Sequence, residues 1–231
     1  KVATIINGRS RRSRASLTRL PERTCNIDAL IKSKYFFFPL HYQPECSSMP
    51  LAGEYHQQAL ICALLNKFLP EGYTLVLKEH PRKSRAQWRG EEFYFQLAKL
   101  KNVRWISTDV SSRELLNGAA AAVTATGTIA WEAILLRKPV FLFGSRIFEG
   151  APGVFPVADE DGLRRAIHTV TETSISIDEC EYEKYLENLS SFLMPGVLSP
   201  KDLERSECTE EETAEFWSET VSNYVESLKS K

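Results

Sequence analysis

The sequence lacks the long apolar segments and paired cysteines that mark membrane and secreted proteins. Its apolar runs fall far short of the ~18 residues that a membrane-spanning helix needs, and its amino-terminal residues do not show the pattern of a signal peptide. The five cysteines form no Cys-x-x-Cys pair, and no histidine lies at zinc-ligand spacing from them. We therefore expect reduced thiols and a soluble, cytoplasmic chain.

The motifs of several large enzyme classes are also missing. There is no Gly-x-Gly-x-x-Gly turn, no Walker phosphate loop, no Gly-x-Ser-x-Gly elbow and no His-Glu-x-x-His pair. These absences argue against dinucleotide redox chemistry, P-loop phosphoryl transfer and zinc hydrolysis. The histidines show no metal-ligand spacing with a carboxylate, so we predict no metal site and no bound cofactor.

A net excess of charge is lacking too, because 29 Lys and Arg residues offset 30 Asp and Glu residues. This balance argues against a globally basic nucleic-acid-binding protein. Charge is nevertheless uneven: residues 1–34 carry +7, residues 35–175 carry +1 and residues 176–231 carry −9. We predict a basic lead-in, a globular domain and an acidic helical tail over these ranges. The basic lead-in is either a solvated linker or a patch that contacts anionic lipid headgroups at the inner membrane.

Between residues 35 and 175, short apolar runs alternate with segments of helical period. This alternation is typical of repeated βα units around a parallel sheet. Strands are predicted at 35–40, 73–77, 103–106, 121–124 and 139–143, and helices at 55–68, 91–100, 128–136 and 159–171. The predicted fold class is α/β, with a Rossmann-like parallel sheet flanked by helices and followed by C-terminal helices.

The acidic tail carries the signals of an amphipathic helix. Thr209 followed by Glu212 is a capping box. Beyond it, four apolar side chains recur at helical spacing: Trp217, Val221, Tyr224 and Leu228. We expect this stripe to pack either on the chain's own sheet or on another lobe.

In an open parallel sheet, ligands bind beyond the carboxyl ends of the strands. The first predicted strand is followed by Gln43, Pro44 and Glu45. An amide and a carboxylate at this place can pair with hydroxyl or amide groups of a sugar or a base.

The second strand ends at Lys78, with His80 and Pro81 directly after it. An imidazole with a pKa of ~6.5 can stabilise a departing phosphate as a cation or as a hydrogen-bond donor. The proline fixes the backbone beside it. The alternative is a structural turn in which Lys78 and Glu79 pair at the surface.

The fourth strand leads into Thr126, Gly127 and Thr128 at the start of a helix that carries Glu132. Backbone N–H groups and two hydroxyls there suit an anion, and the glycine lets a phosphate approach the backbone. The alternative is a helix cap with a tight turn and a solvated glutamate. Together, the three strand ends predict a ligand that contains phosphate.

These stretches, taken in order, resemble the capsule polysaccharide biosynthesis protein family over about residues 35–148. They read Phe-Pro-Leu-His-Tyr-Gln-Pro-Glu at 38–45, Leu-Lys-Glu-His-Pro at 77–81, and Thr-Gly-Thr at 126–128 with Trp-Glu-Ala at 131–133. That family looks like retaining β-Kdo glycosyltransferases of GT-B architecture, which use CMP-activated sugars. The resemblance implies a metal-independent glycosyltransferase that acts on a glycan or glycolipid acceptor.

The resemblance also implies roles for individual residues. His80 and Pro81 correspond to the family's His-Pro motif at the nucleotide phosphate, and His80 is the candidate catalytic residue. The run 43–45 corresponds to its Gln-Pro motif. Thr126 and Thr128 match its Ser/Thr motif at the phosphate, and Glu132 matches a glutamate that holds the ribose.

GT-B enzymes have two facing lobes, whereas this sequence has one run of βα units and begins at Lys1. We therefore expect the nucleotide-binding half of a larger enzyme. Two alternatives stay open. One is a transferase that uses CDP-glycerol, and the other is a non-catalytic module that binds a glycan or nucleotide in a capsule assembly complex.

Overall fold

The apolar runs in the middle of the chain form a parallel sheet. In this computed structural model, the described residues are 25, 27–30, 32–43, 48–80, 89, 91–173, 175, 177–191, 193 and 208–229. Their strands are β1 (Lys34–Pro39), β2 (Tyr73–Lys78), β3 (Val103–Ile106), β4 (Ala121–Thr124), β5 (Val140–Leu142) and β6 (Val154–Pro156). The sheet order is β3-β2-β1-β4-β5-β6, and all neighbouring strands are parallel. The predicted Rossmann-like α/β fold is confirmed.

The chain divides into two compact units, residues 1–178 and 179–231. The helices of the first unit are α1 (Ile27–Leu30), α2 (Gln58–Phe68, after a 3₁₀ turn at Gly53–His56), α3 (Glu91–Ala98), α4 (Ser112–Gly118), α5 (Ile129–Leu135) and α6 (Glu160–Glu172). The second unit contains α7 (Glu179–Ser190) and α8 (Glu210–Lys229). The division of the chain into segments at residues 34 and 175 stays a prediction.

The two faces of the sheet are covered by different helices. Phe36 and its neighbours on one face form a core cluster with buried residues of α2, α3 and α6. Side chains alternate along a strand, so Tyr35 points to the opposite face, where its hydroxyl donates to the Leu115 carbonyl of α4 at 2.6 Å. Because helices cover both faces of the sheet, the ends of its strands are the places that stay accessible.

Small residues in β4 lie beside large ones in β1. Phe36 is in register with Ala121, and Phe37 with Ala122. The methyl side chain of Ala121 leaves space across β4, so Phe36 reaches Phe141 of β5 in an edge-to-face contact with ring centroids 5.0 Å apart. An aromatic contact therefore spans three neighbouring strands of the sheet: β1, β4 and β5.

One strand was not predicted. β6 spans three residues, pairs with β5, ends at Pro156 and is half-exposed. Its residues are apolar, but Pro156 lies within the short run, and a proline in an apolar run argues against a strand unless the strand is at an edge of the sheet, as β6 is.

The capping box of α8 is confirmed. The Glu212 N–H donates to the Thr209 hydroxyl at 3.1 Å, and the Thr209 N–H donates to the Glu212 carboxylate at 2.8 Å. The packing expected of the apolar stripe stays a prediction. Its four side chains are between 46% and 64% exposed: Trp217, Val221, Tyr224 and Leu228.

Replacing Tyr35 by Phe removes one buried hydrogen bond and leaves the Leu115 carbonyl without that donor. We expect the free energy of unfolding to fall by about 1 kcal/mol in urea denaturation. Tyr73→Phe is the matched control, because Tyr73 is half-buried at the start of β2 and its hydroxyl has no hydrogen bond within the described residues. Equal stability of the two variants would contradict the assignment.

Candidate functional site

A polar cavity lies at the carboxyl ends of the strands, where β1 and β4 are neighbours. The chain leaves these two strands toward opposite sides of the sheet, and this divergence opens a crevice. The cavity has a volume of about 390 Å³ and is lined by residues that follow β1, β2, β4 and β5, together with the start of α4.

Six of the predicted site residues line this one cavity: Lys78, His80, Thr126, Gly127, Thr128 and Glu132. They come from the ends of β2 and β4, which are separated in sequence by more than forty residues. Pro44, Glu45 and Pro81 lie outside the described residues. The binding roles of all these residues stay predictions.

The Gln43 amide is used by the protein itself. Its Nε2 group donates to the His56 carbonyl at 2.7 Å, and its Oε1 atom accepts from Arg89 at 2.9 Å. Gln43 therefore holds the segment after β1 against the 3₁₀ turn that precedes α2. It lies next to the cavity and does not line it.

Arg89 is a buried residue beside the cavity that contacts several other polar residues. The sequence analysis did not identify it. Its guanidinium donates to Gln43 and to the His41 carbonyl, and its Nε atom lies 3.6 Å from a carboxylate oxygen of Glu79. The Tyr94 hydroxyl donates to the same oxygen at 2.6 Å. Burial and the nearby Glu79 carboxylate raise the pKa of Tyr94, so this hydroxyl stays protonated. The buried negative charge of Glu79 is thereby compensated.

Lys78 ties the end of β2 to the loop before α4. Its ammonium donates to the Val110 carbonyl at 2.5 Å and to the Ser112 hydroxyl at 2.9 Å. Burial lowers the pKa of Lys78, whereas the Asp109 and Glu132 carboxylates oppose this shift. The side chain lines the cavity with part of its hydrogen-bonding capacity already used.

His41 joins the ends of β1 and β4. Its Nε2 atom accepts from the Ala125 N–H at 3.0 Å and lies 3.1 Å from the Thr124 hydroxyl, which accepts from the Gly127 N–H. Burial lowers the pKa of His41 to about 4, and the positive charges of Arg89, Arg146 and His80 act in the same direction. The imidazole is therefore neutral at pH 7.

Hydroxyl, imidazole and guanidinium groups meet at the cavity. Among the described residues, the buried Thr126 hydroxyl has no hydrogen-bond partner, and the Thr128 side chain does not cap α5 although it occupies the N-cap position. The His80 ring lies edge-to-face on Tyr42, with the centroids 5.3 Å apart. Arg146 brings a guanidinium to the cavity from the segment after β5. Hydroxyls and cationic or imidazole groups in one hollow can bind an anionic ligand.

Two residues of the site could have been found from sequence. His41 stands directly after the first predicted strand, and Arg146 three residues after the fifth, where the strand-end rule also applies. Arg89 gave no such signal, because it lies in a polar stretch without periodicity.

The described residues contain no group of three or more His, Cys, Asp or Glu side chains that could hold a metal ion. Among the described helices, none combines the length and the apolar character needed to cross a membrane.

The strand order, with the polar cavity between the ends of β1 and β4, defines a Rossmann-like α/β domain. The sequence profile described as "Capsule polysaccharide biosynthesis protein" matches residues 28–164. The chain belongs to this family, and the resemblance noted from its motifs is confirmed. Among curated proteins, none is significantly similar in sequence to this chain.

Several solved structures are similar to this chain at low sequence identity. UDP-GlcNAc 2-epimerase from Methanocaldococcus jannaschii is 14% identical with a TM-score of 0.48, over 78% of this chain and 54% of the epimerase. KpsC of Thermosulfurimonas dismutans, a beta Kdo 2,7 transferase, is 18% identical with a TM-score of 0.44, over 80% of this chain and 62% of KpsC. The chain therefore spans between half and two thirds of the length of these proteins.

Replacing Arg89 by Met removes the partner of a buried carboxylate and two hydrogen bonds. We expect the free energy of unfolding to fall by about 3 kcal/mol, with a smaller loss for Arg89→Lys, which keeps the charge. Arg165→Met is the control, because Arg165 is exposed on α6. Urea denaturation at pH 7 measures the difference, and an Arg89→Met variant as stable as this control would refute the network.

The low pKa of His41 predicts that acid destabilises the protein. The pKa is about 4 in the folded state and 6.5 in the unfolded state, so the unfolded state binds the proton first as the pH falls. Stability is retained above pH 6.5 and is lost down to pH 4, by about 3 kcal/mol from this residue. Urea denaturation across this pH range should show a shallower loss for His41→Gln, which does not titrate there. Parallel pH profiles for the two proteins would contradict the shift.

Proposed function

We propose that this chain is the donor-binding lobe of a glycosyltransferase that builds a capsule or other surface polysaccharide. The main support is that residues from two distant strand ends, predicted independently, surround one cavity at the switch point of a parallel sheet. Family membership supports the same function. The closest chemical match for such a cavity is a nucleotide sugar, because the residues include phosphate-binding and hydroxyl-binding types.

In the proposed reaction, the bond between the sugar anomeric carbon and the phosphate oxygen breaks. The nucleotide phosphate departs with the electron pair, and an acceptor hydroxyl oxygen takes its place on the sugar as it loses its proton. His80, Thr126 and Thr128 would donate hydrogen bonds to the departing phosphate, and His80 would be the catalytic residue. No metal ion is required if Lys78 and Arg146 supply the positive charge.

Glu132 serves the other part of the nucleotide in this proposal. It is exposed on α5 and lines the cavity. A carboxylate accepts two hydrogen bonds from a pair of vicinal hydroxyls, which a ribose presents. We further propose that the donor is a CMP-sugar, that the sugar is Kdo, and that the acceptor is a glycan or glycolipid.

The proposal is tested by the binding of CMP to the full chain in calorimetry. His80→Ala should weaken CMP binding about ten-fold to a hundred-fold, since a hydrogen bond to a charged phosphate contributes about 1.5–3 kcal/mol. His168→Ala is the control, because His168 is exposed on α6 and does not line the cavity. Unchanged CMP affinity in His80→Ala would exclude this role for His80.

A donor screen distinguishes the alternatives. CMP-Kdo, CMP-sialate, CDP-glycerol and UDP-sugars are compared for binding and, in the intact enzyme, for turnover. Preference for CDP-glycerol would favour a glycerophosphotransferase, and glycan binding without nucleotide binding would favour a non-catalytic module. Either result would overturn the CMP-sugar proposal.

A further inference from the structure

The polar atoms of His41 can be accounted for one by one. Its backbone N–H donates to the Gln58 side-chain oxygen at 2.7 Å, and its carbonyl accepts from Arg89. Its Nε2 atom accepts from the Ala125 N–H at 3.0 Å. A backbone N–H can only donate, so Nε2 must carry the lone pair. In the neutral ring, the single proton is therefore on Nδ1.

The Nδ1 edge of the ring faces Gly127 at the cavity. A methyl group placed on Gly127 would lie 2.7 Å from Cε1 and 3.2 Å from Nδ1 of His41, so only glycine leaves room for the ring here. His41 and Gly127 both line the cavity, and His41 is 8% exposed. No described residue makes a hydrogen bond to Nδ1. Within the described part of the chain, every polar atom of His41 except Nδ1 has a hydrogen-bond partner.

We propose that His41 is a ligand-binding residue whose Nδ1–H donates a hydrogen bond to a phosphate oxygen of the bound nucleotide. The proposal rests on the function proposed above and adds a residue to its phosphate site. It also explains why a histidine side chain is buried at the end of β1. Nε2 holds the turn after β4 in place while Nδ1 contacts the ligand.

His41 would act as a neutral donor, with a charge state different from that of its neighbours. The charged or titratable groups that face it are Arg89 before α3, Arg146 after β5 and His80 after β2. These groups disfavour a second proton on the ring, as does burial. The hydrogen bond from Nδ1 should therefore persist between pH 6 and 8, and the guanidinium of Arg146 supplies the charge that a phosphate requires.

The tautomer is tested directly by long-range ¹H–¹⁵N NMR of the histidine rings. The sequence has four histidines, and the spectrum of His41→Gln assigns the His41 signals by their loss. We expect Nδ1 to be protonated and Nε2 unprotonated at pH 7. Addition of CMP should shift the Nδ1–H signal, whereas cytidine, which lacks the phosphate, should not. A proton on Nε2, or an unshifted Nδ1 in CMP-bound protein, would overturn the proposal.

Two variants test the contribution to binding. His41→Gln keeps an acceptor for the Ala125 N–H and a donor N–H group, so its affinity for CMP should stay within about three-fold of wild type. His41→Leu has neither and should bind CMP about ten-fold more weakly, with cytidine affinity unchanged. Equal loss of CMP and cytidine affinity would mean a structural role and would refute the proposal. If His41→Leu does not fold, the wild-type spectra decide.

Failure of the proposed function can be told apart from failure of this inference. If the wild-type chain binds neither CMP nor UDP, the nucleotide function is wrong. Inorganic phosphate is then titrated into the wild-type protein. A shift of the His41 Nδ1–H signal supports a phosphate site without a nucleotide, and no shift rejects the role of His41.

Discussion

The hydrogen bonds of His41 hold together the two halves of the sheet where β1 and β4 separate. β1 pairs with β2 over six residue pairs but with β4 over only two, Phe36 with Ala121 and Phe37 with Ala122. Directly after β4, the Ala125 N–H donates to the His41 imidazole. A buried N–H group needs a hydrogen-bond partner, and here a side chain at the end of β1 supplies it. The imidazole thus joins the ends of β1 and β4 at the crevice.

The polar residues around the crevice divide into two sets with different physical roles. Arg89, Glu79, Tyr94 and Gln43 pair with one another through hydrogen bonds and one ion pair, so the charges of Arg89 and Glu79 compensate each other. The buried Thr126 hydroxyl has no partner among the described residues, and the cost of burying it is recovered if a ligand accepts its hydrogen bond. The first set stabilises the shape of the cavity. Groups such as the Thr126 hydroxyl are available to bind a ligand.

The sequence was sufficient for the elements whose residues carry a periodic or conformational signal. The strands at 103–106 and 121–124 were predicted with the bounds that the structure has, because short, mainly apolar runs between polar segments indicate buried strands. In the turn before β2, Gly72 adopts a positive φ of 81°, which glycine adopts more readily than other residues. The location of six candidate residues at one cavity followed from the strand-end rule.

The remaining features depend on contacts between residues distant in sequence. The role of Arg89 depends on its contacts with Gln43, His41 and Glu79, which follow the ends of β1 and β2. The Gln43 amide was predicted to contact a ligand, yet both of its ends bond to the protein, since the sequence cannot show which partners fold next to it. A pattern in one sequence shows which type of side chain is present. It does not show whether that side chain bonds to a ligand or to another part of the protein.

The alanines of β4 have a consequence for how this sheet tolerates change. Ala121 is in register with Phe36 of β1, and the Phe36 ring contacts Phe141 of β5 across β4. The three side chains therefore share one fixed volume in a core that is packed without spare space. A larger residue at 121 is compatible only with a smaller one at 36 or 141, so these positions are expected to vary together. The side-chain volume at the centre of the sheet is therefore set jointly by these three residues.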